Sequence, residues 1–257
     1  MSESTYYDVV VVGGGPSGAT AAADLAARGR RVLLLDRAGR IKPCGGAVPP
    51  KLLREFDVPE SLLVARARSA RIVAPSARQV DMPIKDGGFV GMVDREHFDE
   101  WLRERAATRG AVRLAGNFEG ITRDHFNRPI VHFRANGATA SREVRARAVI
   151  GADGAASVVG RAEVPAARES ARVYAFHEIV EAPREHAADY DGTRCEVHYR
   201  GEISPDFYGW VFPHGETISI GSGTAAKGFS LRGAVTRLRA ETGLGNARVI
   251  RREGAPR

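Results

Sequence analysis

Tyr7-Asp8-Val9-Val10-Val11-Val12-Gly13-Gly14-Gly15-Pro16-Ser17-Gly18 decides the fold. The run from Tyr7 to Val12 is continuously apolar after Asp8, as expected of a strand buried on both faces of a parallel sheet. Pro16 to Ala27 is alanine-rich, carries Leu25 on its apolar side, and predicts a helix that ends at Gly29. Arg31 to Leu35 predicts a second buried strand, so the chain begins with a βαβ unit. The glycines between strand and helix fit G-x-G-x-x-G, and Asp36 follows Gly18 at the end of the second strand. That context is what the motif requires. Gly13 permits the tight turn, Gly15 leaves the backbone open to a pyrophosphate, and Gly18 lets the helix approach the strand. The helix start offers free N–H groups to an anion, with Pro16 and Ser17 in its first turn. Asp36 is placed to accept hydrogen bonds from an adenosine ribose.

Working outward, Asp94 to Gly110 predicts a helix with Phe98, Trp101, Leu102 and Ala106 on one face and Asp94 as its cap. Ile41 to Pro50 reads as a loop. Residues 51–93 read as a short helix and strand-like segments near Ile72 and Val90. Segments near Val112, Gly120, Ile130 and Val144 alternate like antiparallel strands, and Ala148 to Ala152 reads as a further buried strand. It runs into Gly151-Ala152-Asp153-Gly154, which is either a plain Asp-Gly turn or a strand end whose carboxylate reaches ribose or pyrophosphate groups. From Arg172 to Gly223 short apolar runs separated by turn residues suggest a separate antiparallel sheet. Leu231 to Thr242 predicts a last helix.

The composition is globular: 257 residues, 43% hydrophobic and 27% charged. The formal net charge is +7, mostly from arginine. With no run of five basic residues and no zinc-finger spacing, it points away from nucleic acid. Scattered solvated arginines, an anionic membrane face or an anionic substrate all fit it. The two cysteines, Cys44 and Cys195, form no C-x-x-C and suit a reducing compartment. No metal-ligand cluster stands out. The N-terminus lacks a basic segment and passes directly into a strand, unlike a signal peptide. No stretch of about 18 uninterrupted apolar residues is present.

Two further segments carry chemistry. In Lys42-Pro43-Cys44-Gly45-Gly46-Ala47, adjacent glycines allow a flat ring to approach the backbone, and Cys44 is small and polarisable. The segment equally suits a flexible loop with an incidental cysteine. In Pro205-Asp206-Phe207-Tyr208-Gly209-Trp210-Val211-Phe212-Pro213, the aromatics Tyr208, Trp210 and Phe212 alternate and so share one strand face. Such a face is either sheet core or the wall of a long apolar channel.

The N-terminal fingerprint and Gly151-Ala152-Asp153-Gly154 together resemble the flavoprotein superfamily that includes the aromatic hydroxylases, in which both segments hold FAD. Arg95, Phe98, Asp99 and Leu102 match that superfamily's R-x-x-F-D-x-x-L, which implies that Arg95 lies near the flavin nucleotide rather than merely opening a helix in solvent. Arg37 keeps NADP binding open. Cys44-Gly45-Gly46 and P-x-x-Y-x-W-x-F-P, followed by Ile218-Ser219-Ile220-Gly221-Ser222-Gly223-Thr224, resemble the geranylgeranyl reductases, especially the chlorophyll and bacteriochlorophyll branch, from Tyr7 to about Pro256.

The resemblance implies an α/β fold. It has a Rossmann-like FAD-binding domain of the aromatic-hydroxylase type (residues 1–75 and 94–165) and an antiparallel-sheet substrate domain (76–93 and 166–257). It implies FAD held by Gly13, Gly15, Pro16, Ser17, Gly18, Asp36, Arg37, Cys44, Gly45, Gly46, Arg95, Asp153 and Gly154. NADPH is the implied reductant. The implied substrate is a prenylated tetrapyrrole or prenyl diphosphate lying against Tyr208, Trp210 and Phe212, with Cys44 and Tyr208 the two candidate catalytic residues. It further implies a cytoplasmic protein in peripheral contact with a photosynthetic membrane. Family members carry a later G-D-A-A-G segment that this sequence lacks, so a truncated chain is expected, with apolar surface exposed near Ser219. The competing readings are a flavin monooxygenase of the same superfamily, an inactive nucleotide-binding remnant and, last, a simple NAD dehydrogenase.

Overall fold

The computed structural model of the protein describes residues 6–37, 44–183 and 190–256. The chain divides into two compact units, Met1–Ile41 with Glu96–Ser170 and Lys42–Arg95 with Ala171–Arg257. In chain order, β1 (Tyr6–Val12), α1 (Pro16–Ala27) and β2 (Val32–Asp36) open the first unit. β3 (Ala47–Val48), α2 (Pro50–Glu55), β4 (Leu63–Ala67), β5 (Ser69–Val73), β6 (Gln79–Pro83) and β7 (Val90–Val93) belong to the second. The chain then returns with α3 (Arg95–Thr108), β8 (Val112–Arg123), β9 (Pro129–Ala135), β10 (Arg142–Gly151) and α4 (Val158–Glu163). It finishes in the second unit with β11 (Tyr174–Glu181), β12 (Arg194–His198), β13 (Gly209–His214), β14 (Thr217–Thr224), α5 (Leu231–Glu241) and β15 (Val249–Pro256).

In the first unit five strands close on themselves in the order β1-β10-β9-β8-β2. β1 lies between β2 and β10, parallel to both, and β8, β9 and β10 are antiparallel neighbours. Val10, Val12, Leu33, Leu35, Val131, Phe133 and Ala146 form the core inside this arrangement. α1 packs on β1 and β2 through Ala19, Ala22, Ala23 and Ala26, whose small side chains let the helix sit close. The sequence suggests two strands where there is one. β10 pairs with β9 over Arg142–Arg145 and with β1 over Arg145–Gly151. Its C-terminal half is also less buried than expected, with Ala148 exposed and Val149 and Ile150 half-buried. On α3, Asp99 joins Phe98, Leu102 and Ala106 on the buried face, while Trp101 is only half-buried beside Phe98.

The second unit holds a seven-stranded sheet in the order β15-β11-β14-β13-β12-β5-β6 and a three-stranded sheet in the order β3-β7-β4. The large sheet is antiparallel except where β12 runs parallel to β5. That pairing draws residues 42–75 into the second unit, whereas the sequence suggests a boundary at 75. One face of the sheet packs Val180, Val211, Ile218 and Ile220 against Val235 and Leu238 of α5. β14 is buried from Ile218 to Thr224, so the apolar exposure expected near Ser219 does not occur.

Glu178 of β11 is 4% exposed. It accepts hydrogen bonds from Arg239 of α5 at 2.7 Å and from Arg252 of β15 at 2.8 Å. One carboxylate thus ties a helix and an edge strand to the sheet. Breaking a fully buried ion pair costs about 3–5 kcal/mol by stranding the partner charge. Arg252 is 56% exposed and can turn to water, but Arg239 at 11% cannot readily do so. Glu178→Gln is therefore expected to lower unfolding stability by about 2–3 kcal/mol, read from urea midpoints at unchanged slope.

Candidate functional site

In the first unit three chain segments meet at glycines. Gly13 has φ +105°, and a Cβ there would lie 2.3 Å from the Ala152 carbonyl oxygen and 2.8 Å from the Asp153 Cα. A Cβ on Gly14 would lie 2.7 Å from Asp36 Oδ2, and one on Gly18 would lie 1.8 Å from the Gly13 carbonyl oxygen. Consecutive glycines therefore touch Asp153 and Asp36, and the two acidic segments flank one loop. The Gly14 N–H donates to Asp36 Oδ2. Gly15 is the N-cap residue of α1, with Pro16 and Ser17 following it. No side chain caps this helix start and no acidic residue lies in its first turn. An uncapped, positively polarised helix end beside a glycine turn suits a pyrophosphate, so these residues fit the adenine-nucleotide end of FAD.

Asp153 departs from expectation. Its carboxylate accepts from Ser157 Oγ, from the Val158 N–H at 2.6 Å and from the Val159 N–H at 3.2 Å. Oδ2 accepts from the first N–H groups of α4 and Oδ1 holds its N-cap Ser157, which leaves the backbone of Ala152 to Gly154, with Gly154 at φ +87°, as the part nearest the glycine loop. Arg37 is exposed, and its carbonyl accepts from Asn136 Nδ2 at 2.8 Å. Arg95 opens α3 and is half-buried.

Arg103 was not legible as part of this site. It donates to the Gly14 carbonyl at 3.1 Å and to Glu100 at 2.8 Å, with its side chain 11% exposed. Desolvation pushes the Glu100 carboxyl up, but hydrogen bonds from Arg113 and Arg103 outweigh it and hold Glu100 below its ordinary value. Arg103 thus sets a positive charge beside the phosphate-type loop. Its signal in the sequence is only its spacing, two turns along α3 from Glu96.

In the second unit the structure brings the Cys44-Gly45-Gly46 segment to the aromatic strand; Lys42 and Pro43 lie outside the described residues. A Cβ on Gly45 would lie 2.9 Å from Phe212 Cδ2 and 3.5 Å from Trp210 Nε1. Gly46 has φ +70°, and a Cβ there would strike the Val93 carbonyl at 2.4 Å and His214 at 2.6 Å. His214 bridges the Gly45 carbonyl at 3.0 Å and Asp94 Oδ1 at 3.2 Å, anchoring this turn. Cys44 is half-buried.

Tyr208, Trp210 and Phe212 do share a face, with successive ring centroids 6.1 and 6.4 Å apart. Tyr208 also stacks on Phe207 and meets Tyr199, which is 46% exposed, so the aromatic row runs from the surface inward to Trp210, 5% exposed. The indole N–H does not point outward as a free donor. It reaches Ser219 Oγ at 3.1 Å. Cys195 lies near Met92, and burial pushes its thiol up to about 12.

Residues 8–188 match the family model described as FAD dependent oxidoreductase. The chain is 56% identical over 250 residues to a geranylgeranyl diphosphate reductase of Rhodobacter capsulatus, covering 97% of this chain and 63% of that protein. It is 37% identical over 263 residues to the chloroplastic geranylgeranyl diphosphate reductase of Nicotiana tabacum, covering 96% of this chain and 55% of that one. A crystal structure of a geranylgeranyl bacteriochlorophyll reductase-like protein from Thermoplasma acidophilum superposes with TM-score 0.86 at 26% identity, covering 98% of this chain and 66% of that chain. The chain therefore spans between half and two thirds of the length of these relatives.

Two outcomes follow from the geometry. A Cβ at Gly14 would strike the Asp36 side chain down to its Cβ at 2.9 Å, whereas one at Gly18 would strike the Gly13 backbone carbonyl at 1.8 Å. Gly18→Ala is expected to weaken FAD binding by about 100-fold and Gly14→Ala, which displaces a side chain rather than backbone, by less, measured by quenching of flavin fluorescence. The thiol of Cys195 ionises only as pH rises toward about 12, so at pH 8 it stays protonated and inert. Iodoacetamide at pH 8 should therefore label a Cys44→Ser chain only after unfolding, and label in the folded variant would refute the buried, protonated thiol.

Proposed function

This chain belongs to the FAD-dependent oxidoreductases, and we propose that it reduces carbon–carbon double bonds of a geranylgeranyl group, with NADPH as the source of electrons. The observation that carries this is the aromatic row of Tyr208, Trp210 and Phe212 against the Cys44-Gly45-Gly46 turn. It offers π surface and no outward indole donor, which suits a hydrocarbon chain and not a polar small molecule. The relatives named as geranylgeranyl diphosphate reductases support the same substrate class. The group carrying the prenyl chain is proposed to be (bacterio)chlorophyll or the free diphosphate. A net charge of +7 suits either an anionic diphosphate or peripheral contact with an anionic membrane. Among the described residues no helix is long and apolar enough to cross a membrane.

We assign FAD binding to Gly13, Gly15, Pro16, Ser17, Gly18, Asp36, Arg37, Arg95 and the Asp153-Gly154 backbone, with Cys44, Gly45 and Gly46 as the flavin-ring loop. Once bound and reduced by NADPH, FAD would supply a hydride to one alkene carbon. An isolated alkene has no carbonyl to take up developing charge, so the protein must orient it, exclude water and provide a proton to the other carbon. Trp210, which is buried, and Phe212, which is half-buried, limit the access of water. Cys44 and Tyr208 are the proposed candidates for donating that proton. Cys195 is excluded as donor, because it lies buried against Met92 rather than at the face.

The test is NADPH oxidation by the FAD-loaded chain with geranylgeranyl substrate, with and without oxygen, and mass analysis of the product. Gain of hydrogen in the prenyl chain without oxygen is expected, and about tenfold slower turnover in Trp210→Ala. NADPH oxidation that requires oxygen and leaves the prenyl chain unchanged would point instead to a monooxygenase.

A further inference from the structure

Beneath the aromatic face four polar groups lie in one line. Trp210 Nε1–H donates to Ser219 Oγ at 3.1 Å, Ser219 Oγ lies 3.0 Å from His177 Nδ1, and His177 Nε2 lies 2.8 Å from Glu253 Oε2. Ser219 is fully buried and His177 is 3% exposed. The proton positions follow from counting donors. Ser219 accepts the indole N–H, so its own hydroxyl proton needs an acceptor, and His177 Nδ1 is the group in reach. Nδ1 is therefore unprotonated, and Nε2–H donates to the Glu253 carboxylate.

The sheet register builds this line. Trp210, Gly221, His177 and Glu253 occupy one row across β13, β14, β11 and β15. Gly221 makes the row close-packed: a Cβ there would lie 2.1 Å from Trp210 Cζ2 and 2.6 Å from the His177 Cβ. The Ser219–His177–Glu253 set has the composition of a nucleophile triad, but Ser219 lies fully buried beneath the indole and no substrate can reach it.

We infer that His177, held between Ser219 and Glu253, is the positioning residue of Trp210. It fixes the indole plane and keeps its N–H turned inward, so that Trp210 presents a ligand with apolar surface alone. The inference rests on the proposed prenyl-binding role for what it means to a substrate, but its geometry is testable without one.

The full chain has two tryptophans, Trp101 and Trp210, so a ¹⁵N-labelled sample gives two indole N–H signals, assigned with Trp210→Phe. His177→Phe fills the same space without polar atoms, His177→Gln keeps a group near the Nε2 position, and His177→Asn keeps one near Nδ1. In His177→Phe and His177→Gln the Trp210 indole signal should shift and its hydrogen exchange should quicken by about tenfold, while Trp101 stays unchanged. His177→Asn should restore both. A Trp210 signal and exchange rate in His177→Phe equal to the native chain would overturn the inference. Should His177→Phe fail to fold, the pair His177→Gln and His177→Asn decides by the same readout, and a native Trp210 signal and exchange rate in His177→Gln would overturn the inference. Titrating the native chain with geranylgeraniol separates the two ideas. A Trp210 signal unmoved by that probe, beside variant shifts as expected, sinks the prenyl role and leaves the positioning of Trp210 standing.

Discussion

Everything in the first unit depends on the close contact of Gly18 with the carbonyl of Gly13, and of Gly13 with that of Ala152. A methyl group at either position would sit well inside the van der Waals radius of a backbone atom, so the end of β1, the start of α1 and the end of β10 can meet only as glycine. That contact lets the alanine stripe of α1 lie directly on β1 and β2. It also leaves the first N–H groups of α1 uncapped at the tip of the sheet, with Asp36 on one flank and the Asp153 segment on the other. The anion-binding geometry is a by-product of how helix and sheet are packed, because the same small residues serve both.

This contact was legible in the sequence because its chemistry is local: glycines at fixed spacing between an apolar strand and an alanine-rich helix have few other uses. The pairing of Cys44-Gly45-Gly46 with the aromatic strand was not. It depends on β13 lying beside the small β3-β7-β4 sheet, whose strands of two to five residues are too short for a periodic signal. β10 escaped as a single strand because Arg142, Arg145 and Arg147 interrupt its apolar pattern while its partner changes from β9 to β1 midway. β15 escaped altogether. Val-Ile-Arg-Arg-Glu-Gly-Ala-Pro looks like a polar tail, yet its Arg252 and Glu253 meet Glu178 and His177 on opposite faces of β11. Polar groups whose partners lie over seventy residues away carry no local signature.

The two faces of the large sheet explain why polar residues sit in fully buried strands. On β13 and β14, Val211, Ile218 and Ile220 point toward α5 and form an ordinary apolar core. The alternate positions Trp210, Ser219 and Gly221 belong to the other face. An apolar side chain at 219 would leave the indole N–H without an acceptor, which costs about 1–3 kcal/mol for a buried donor. A side chain at 221 would displace the ring. A serine and a glycine in an otherwise apolar strand are thus the complement of one tryptophan, with the histidine and the carboxylate completing the set of partners. The same parity that makes one side a core makes the other a smooth aromatic surface, which gives a hydrocarbon ligand shape and dryness.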